Sequence, residues 1–243
     1  TPLSPLRRLP GELRRLGDEV YNVERSLSFV RAMKQFQPDL LFMPKAENIH
    51  SCAVKMALAE TKARLAIWYP DNPFWANQTT MNVIRNLRVC DIYYSWGKFL
   101  METLRSAGCR RVEYLPFAFY PDFFPADVEI TEEDRKRFSC DICFVGTWDP
   151  DREKDLMPLA EFDLGIWGPL WKENVSASSP LYSKIRGGGL YGADMVKAYR
   201  CAKLVFNQLR FHNGDSHNVR AMEIPGIGAV QLVRRTSELS NGL

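Results

Sequence analysis

The sequence predicts an α/β protein of two Rossmann-like lobes with a cleft between them. Three observations carry that expectation. Helix-like segments and short apolar strand-like segments alternate along most of the 243 residues, the pattern of parallel sheets covered by helices on both faces. The alternation is interrupted once, by Leu-Pro-Phe-Ala-Phe-Tyr-Pro-Asp-Phe-Phe-Pro at 115–125, where three prolines among five aromatics stiffen the chain against a helix or a central strand. The length suffices for two modest cores. The expected organisation is a first lobe over 1–116, a Pro/aromatic connector over 117–126 and a second lobe over 127–243.

In chain order, helix is predicted over 5–16, and a strand over 19–23 after a Gly17-Asp18 turn. A helix over 26–36 and a strand over 40–43 follow, then helices over 50–61, 79–87 and 98–107 alternating with strands over 65–69, 92–95 and 112–115. In the second lobe Thr131 caps a helix over 131–138 whose first turn holds Glu132, Glu133 and Asp134, the acidic start a helix dipole favours. Strands over 141–145 and 163–167 flank a helix over 152–160. Residues 168–192 read as a long Gly/Ser-rich loop, residues 193–201 as a helix, and residues 204–207 and 229–233 as strands. A short helix is expected to begin near His217 and to stop at Pro225, Gly226 and Gly228. The chain opens on a helix where a lobe of this kind begins with a strand, and Leu243 closely follows the last strand; both termini are therefore expected to be truncated.

Bulk chemistry narrows the class. Hydrophobic residues make up 46% and charged residues 25%, as in soluble globular proteins. The net charge is only +3, so electrostatics does not argue for nucleic acid, and pairs such as Arg7-Arg8 and Arg110-Arg111 read as solvated faces. No apolar run reaches the ~18–20 residues of a membrane helix, and no signal peptide is evident. The six cysteines lack a disulfide rhythm. In a strand, Cys140 and Cys143 would project to opposite faces, which suits neither zinc nor a redox pair. Reduced thiols in a cytoplasmic protein without an integral membrane segment are the expectation.

The chemistry is expected at the carboxyl ends of the second lobe's strands. After the strand at 204–207, the loop Asn213-Gly214-Asp215-Ser216 has turn composition, with Ser216 as cap of a helix beginning near His217. Free amides there favour an anion, Asn218 and Arg220 can add donors to a phosphate, and Glu223 can accept from a ribose hydroxyl pair. An ordinary charged surface helix is the alternative. A second constellation, Phe144-Val145-Gly146-Thr147-Trp148 followed by Arg152 and Lys154, offers a glycine for close approach and two cations for a pyrophosphate. Trp167-Gly168 can border a base, or the tryptophan can be core. In the first lobe Glu47, His50 and Asp71 follow strands and can serve an acceptor, position a sugar or act as base; an Asx turn is the other reading of Asp71. His212 and His217 form no metal pair at helical spacing.

Several of these segments resemble CgeB-like (spore maturation protein) glycosyltransferases of the GT-B fold. Arg220-Ala221-Met222-Glu223-Ile224-Pro225-Gly226-Ile227-Gly228-Ala229 resembles their R-x-x-E-x-P-x-x-G-A block, residues 144–152 their F-V-G-[ST]-x-x-x-x-R segment, and residues 115–125 their L-P-F-x-x-x-P-x-x-F-x-P connector. The segment Ile166-Trp167-Gly168-Pro169-Leu170-Trp171 carries a similar G-x-x-W element, and Asp71 resembles the aspartate of W-x-x-D-[DN]-P. The resemblance implies transfer of a hexose-like unit from a nucleoside-diphosphate sugar, a UDP-sugar favoured, with no metal or other cofactor. It implies donor binding by Gly146, Thr147, Arg152, Trp167, Gly168, Ser216, His217, Asn218, Arg220 and Glu223. The acceptor can be a polysaccharide, protein, lipid or modified nucleic acid. A degenerate nucleotide-sugar-binding protein and a nucleotide-sugar epimerase of similar fold are the alternatives.

Overall fold

The computed structural model describes residues 11–45, 47–75 and 79–241. They form two compact units whose boundary in sequence falls between Pro116 and Phe117. Each unit is built on one parallel sheet, of four and five strands, the α/β class expected of two Rossmann-like sets.

In the first unit a long helix, α1 (Gly11–Phe36), leads into β1 (Leu40–Pro44). Then come α2 (Ser51–Thr61), β2 (Arg64–Trp68), α3 (Met81–Leu87), β3 (Ile92–Ser95), α4 (Met101–Ser106) and β4 (Val112–Tyr114). The strands lie in the order β1-β2-β3-β4. Right-handed crossovers in a sequential order stack their helices on one face of the sheet. The exposures agree: Leu40 and Phe42 on one face of β1 are 59% and 49% exposed, while Leu41, on the other, packs against Val30, Met33 and Ala57. Cover on both faces, expected from the apolar strands, is thus not realised at the edge strand β1, whereas in β2 the consecutive residues Leu65, Ala66 and Ile67 are all buried.

The strand predicted over 19–23 and its Gly17-Asp18 turn are absent, because α1 runs through both. Of the helix predicted over 5–16, residues 5–10 lie outside the described ones. Glycine in a helix interior costs only about 1 kcal/mol, and no proline breaks this run. Val20, Val23, Leu27 and Val30 recur at helical spacing, a period that a five-residue window cannot tell from alternation.

In the second unit α5 (Glu132–Phe138) precedes β5 (Cys140–Val145), α6 (Pro150–Leu156) and β6 (Leu164–Trp167). Next are α7 (Trp171–Asn174), β7 (Ile185–Gly187), α8 (Gly192–Cys201), β8 (Ala202–Asn207), α9 (Arg220–Gly226), β9 (Gln231–Val233) and α10 (Ser237–Ser240). Strand order is β7-β6-β5-β8-β9, so the winding reverses between β5 and β8, and the loops leaving those two strands part to open a crevice. Residues 168–192 are thus not one loop. β7 holds a single apolar side chain, Ile185, and owes its strand form to pairing with β6, which a sequence window does not display.

This sheet is covered on both faces. Cys143 and Val145 join Phe138, Trp167, Val196 and Tyr199 on one side; Ile142 and Phe144 join Leu156, Ile166 and Trp171 on the other. Cys140 departs from the expected alternation and shares the cluster of Cys143, to whose thiol it is hydrogen-bonded. It is the first residue of β5, directly after the helix end at Ser139, where the pleat is not yet established. From the aromatic stretch, Phe119 and Phe124 stack with centroids 5.6 Å apart, and Phe124 is buried in this core.

Thr131 caps α5 in a reciprocal box: its hydroxyl accepts from the Asp134 N–H at 3.2 Å, and Asp134 Oδ2 accepts from the Thr131 N–H at 3.0 Å. Those bonds, with Lys197 at 2.9 Å, hold the Asp134 carboxyl down at about 2. A carboxylate depressed in the fold contributes stability above its unfolded value of about 4, and that contribution is lost as pH falls toward 2. Asp134→Asn is accordingly expected to destabilise at pH 7 and to converge with wild type near pH 2. Urea unfolding at both pH values checks this; a deficit independent of pH contradicts it.

Candidate functional site

The carboxyl ends of β5 and β8 bring together three arginines from two loops. β5 delivers Gly146 and Thr147, after which Asp149 caps α6 by accepting from the Arg152 N–H at 3.0 Å. The Arg152 side chain folds back, its Nη1 donating to the Thr147 carbonyl at 2.6 Å. Gly146 leaves that path open, since a Cβ there would lie 3.2 Å from Arg152 Nη1 and 2.9 Å from the Phe144 ring. Asp149 Oδ2 accepts from Arg210 Nη2 at 3.0 Å and lies 3.6 Å from Arg152 Nε, so one carboxylate bridges two guanidinium groups. Arg220, at the start of α9, binds the Glu223 carboxylate and touches the Met195 sulfur at 3.2 Å.

The charges are not balanced locally. Burial, together with the like charges of Arg210 and Arg220, pushes the Arg152 guanidinium down to about 10 against the counter-pull of Asp149. The Nε–H groups of Arg152 and Arg210 are buried without a hydrogen-bond acceptor, and a buried unmatched donor costs about 1–3 kcal/mol. An anion with several acceptor oxygens would offset the repulsion among the three guanidinium groups.

Five of the residues expected at a donor site therefore gather here: Gly146, Thr147, Arg152, Arg220 and Glu223. Arg210 and Asp149 were not anticipated. The available signal for Arg210 was its place three residues beyond a predicted strand end; for Asp149 it was a cap position before Pro150.

Other expectations are corrected. Ser216 does not cap α9, which starts four residues later; the Ala221 N–H is taken by Asn218 Oδ1 at 3.1 Å. Ser216 and His217 are wholly buried and engage Glu238, because the loop turns these side chains inward. Asn218 spends its amide on a reciprocal pair with Asn207, at 2.9 and 3.1 Å. The Trp167 ring is 1% exposed and packs on Phe138 with Arg186 on its face, so it is core and not a platform for a base. Gly168 lies against the backbone of Gly146, whose carbonyl oxygen an added Cβ would meet at 1.9 Å. Lys154 is exposed and lines a shallow depression with Pro150, Met157 and Pro158.

In the first unit, Glu47 and Asp71 stand at the carboxyl ends of β1 and β2 and share one cation. Lys45 Nζ lies 2.6 Å from Asp71 and 3.8 Å from Glu47. The buried Tyr69 hydroxyl donates to Glu47 at 2.6 Å, and burial together with that carboxylate raises its pKa far above the usual tyrosine value. The Asx turn at this place belongs to Asn72, whose Oδ1 accepts from the Phe74 N–H at 3.0 Å. His50 is elsewhere: its N–H binds Ser26 Oγ at 2.9 Å, and the residue lines a cavity of about 280 Å³ between α1 and α2 with Leu27, Val30 and Met56. Among the described residues no three His, Cys, Asp or Glu are grouped to hold a metal ion. No described helix is long and apolar enough to cross a membrane.

Residues 152–243 match a family model described as glycosyl transferase-like. A crystal structure of Anabaena HepE in complex with UDP-glucose is similar at 11% identity and a TM-score of 0.59, over 90% of this chain and 65% of that one. The same protein in complex with UDP and glucose is similar at 11% identity and a TM-score of 0.50, over 75% and 55%. The chain thus spans 65% or less of the length of these structures, and at such identity the likeness is one of fold. A search of curated proteins gives no match.

Proposed function

We propose that this chain serves a glycosyltransferase of the CgeB type, cytoplasmic and metal-independent, that draws a hexose-like unit from a nucleoside-diphosphate sugar of the uridine series. The observation that carries this reading is the grouping of Arg152, Arg210 and Arg220 where the winding of the second sheet reverses. A departing nucleoside diphosphate gains negative charge as the glycosidic C–O bond breaks. Preorganised guanidinium groups offset that charge, with bidentate geometry matched to phosphate oxygens. Glu223 is held by Arg220 with its side chain 14% exposed, suited to accept from the ribose hydroxyls. The glycosyl transferase-like match over residues 152–243 and the HepE complex with UDP-glucose support the donor class; the residues 220–229 block supports the CgeB type. For the acceptor side we propose the carboxylates of Asp71 and Glu47, held by Lys45, with Asp71 as base.

Calorimetric titration with UDP, GDP and dTDP tests the reading. Wild type is expected to bind UDP, and Glu223→Ala to bind it roughly tenfold or more weakly, since a charge-assisted hydrogen bond contributes about 1.5–3 kcal/mol. A folded wild-type protein that binds none of the three sinks the proposal.

A further inference from the structure

Four consecutive residues of the loop between β8 and α9 are tied, one by one, to the segment that follows β9. Arg234 Nη2 donates to the Gly214 carbonyl at 2.8 Å. The Ser237 N–H donates to Asp215 Oδ1 at 2.9 Å, and its hydroxyl to the Asp215 carbonyl at 3.4 Å. Ser216 Oγ donates to Glu238 Oε2 at 2.7 Å, and His217 Nδ1 lies 3.0 Å from the same oxygen. Ser216, His217 and Glu238 are 0%, 0% and 4% exposed, and the Phe117 ring closes edge-on over the imidazole. Thr236, 2% exposed, caps α10 by accepting from the Leu239 N–H at 3.2 Å and so fixes where Glu238 points.

Asn, Gly, Asp and Ser favour turns but are compatible with more than one turn type. Arg210 lies near the start of this loop and Arg220 directly after its end, so its shape sets the spacing of two of the three guanidinium groups. A buried carboxylate is a costly way to fill space, because an apolar side chain of similar volume is often as good or better for stability. What a carboxylate adds is direction: both donors converge on one oxygen, which admits one register of the loop.

We infer that Glu238 is a positioning residue: with Ser237 and Arg234 it clamps residues 214–217 and thereby holds Arg210 and Arg220 in their anion-binding arrangement. The inference rests on the donor reading above. It makes α10, a helix distant in sequence from the arginines, a determinant of phosphate affinity.

The test separates phosphate affinity from nucleoside affinity. Wild type, Glu238→Ala and Glu238→Gln are titrated with UDP and pyrophosphate by calorimetry and with uridine by ligand-observed NMR, alongside their unfolding midpoints. Glu238→Ala is expected to bind UDP and pyrophosphate roughly tenfold more weakly, about the value of one charge-assisted contact, with uridine affinity unchanged. Glu238→Gln, whose amide oxygen can still accept from both Ser216 and His217, is expected to restore most of it. Unchanged pyrophosphate binding, or equal losses for pyrophosphate and uridine in a folded Glu238→Ala, overturns the inference. Should Glu238→Ala fail to fold, Ser237→Ala combined with Asp215→Ala removes both bonds between residues 215 and 237 and is expected to weaken pyrophosphate in the same direction; no change there also overturns it. A wild type that binds no UDP removes the donor reading and the clamp with it, whereas a binding wild type with unaffected variants removes the clamp alone.

Discussion

Arg152→Ala is expected to weaken UDP binding by about 30- to 1,000-fold, the equivalent of roughly 2–4 kcal/mol for removing a desolvated charge contact. Arg152 stands between Asp149 and the like charges of Arg210 and Arg220, largely withdrawn from water, with its Nε–H unmatched. Burial and the repulsion from two like charges are costs in the free protein that a bound diphosphate is expected to offset, so the guanidinium should interact more strongly with ligand than a surface arginine would. Arg152→Lys is expected to recover only part of the loss, because an ammonium keeps the charge but not the planar fork. The unfolding midpoint of the free protein is expected to change little. The variant loses one hydrogen bond to the Thr147 carbonyl while relieving repulsion from two neighbours. Titration of UDP at two salt concentrations checks the argument: the variant is expected to show the shallower salt dependence. Equal affinity for UDP in wild type and Arg152→Ala would mean that the three arginines serve some other purpose.

Gly168→Ala is expected to cost about 3 kcal/mol or more, at the upper end of overpacking. A Cβ at 168 would lie 1.9 Å from the Gly146 carbonyl oxygen and 2.6 Å from its carbon. The obstacle is backbone, so no rotamer change relieves it, and the ends of β5 and β6 must separate. That separation strains the bond from Trp171 Nε1 to the Gly146 carbonyl, 2.8 Å, and the one from the Gly168 N–H to the Gly187 carbonyl, 3.1 Å. Because Gly146 leads into the loop that carries Arg152, UDP affinity is expected to fall together with stability. Gly188→Ala is the control: nothing lies within 4 Å of its added Cβ, and a change within about 0.5 kcal/mol is expected. Denaturant midpoints for the two variants decide the matter, and a Gly168→Ala protein as stable as Gly188→Ala would contradict the close backbone approach.

Much of this fold is legible in the chain itself. Short apolar runs such as 65–69 and 142–145 are read as strands because a buried parallel sheet uses consecutive apolar side chains over so few residues. Thr131 followed by acidic residues marks the start of α5 by local hydrogen bonding alone, and the structure shows the same cap. Gly146 and Arg152, and likewise Arg220 and Glu223, could be paired as candidate site residues because each pair is close in sequence, the first across the β5–α6 turn and the second one turn apart in α9.

The errors share a cause. Val20, Tyr21 and Val23 favour strands locally, yet a 26-residue helix absorbs them. β7 exists only because β6 lies beside it. Trp167, Ser216 and His217 have the chemistry of a nucleotide site but face inward, and their direction depends on Phe138, Glu238 and Phe117, all distant in sequence.

Periodicity, capping and turn chemistry within a few residues specify the class of fold, the course of most elements and the segments that carry Gly146, Arg152, Arg220 and Glu223. Only the tertiary structure decided which side chains reach the crevice, that Arg210 joins Arg152 and Arg220, and that Glu238 closes on the loop between them. Those outcomes depend on strand order and on contacts across 20 to 70 residues of chain, where Coulomb and packing energies are set by distance in space and have no local signature.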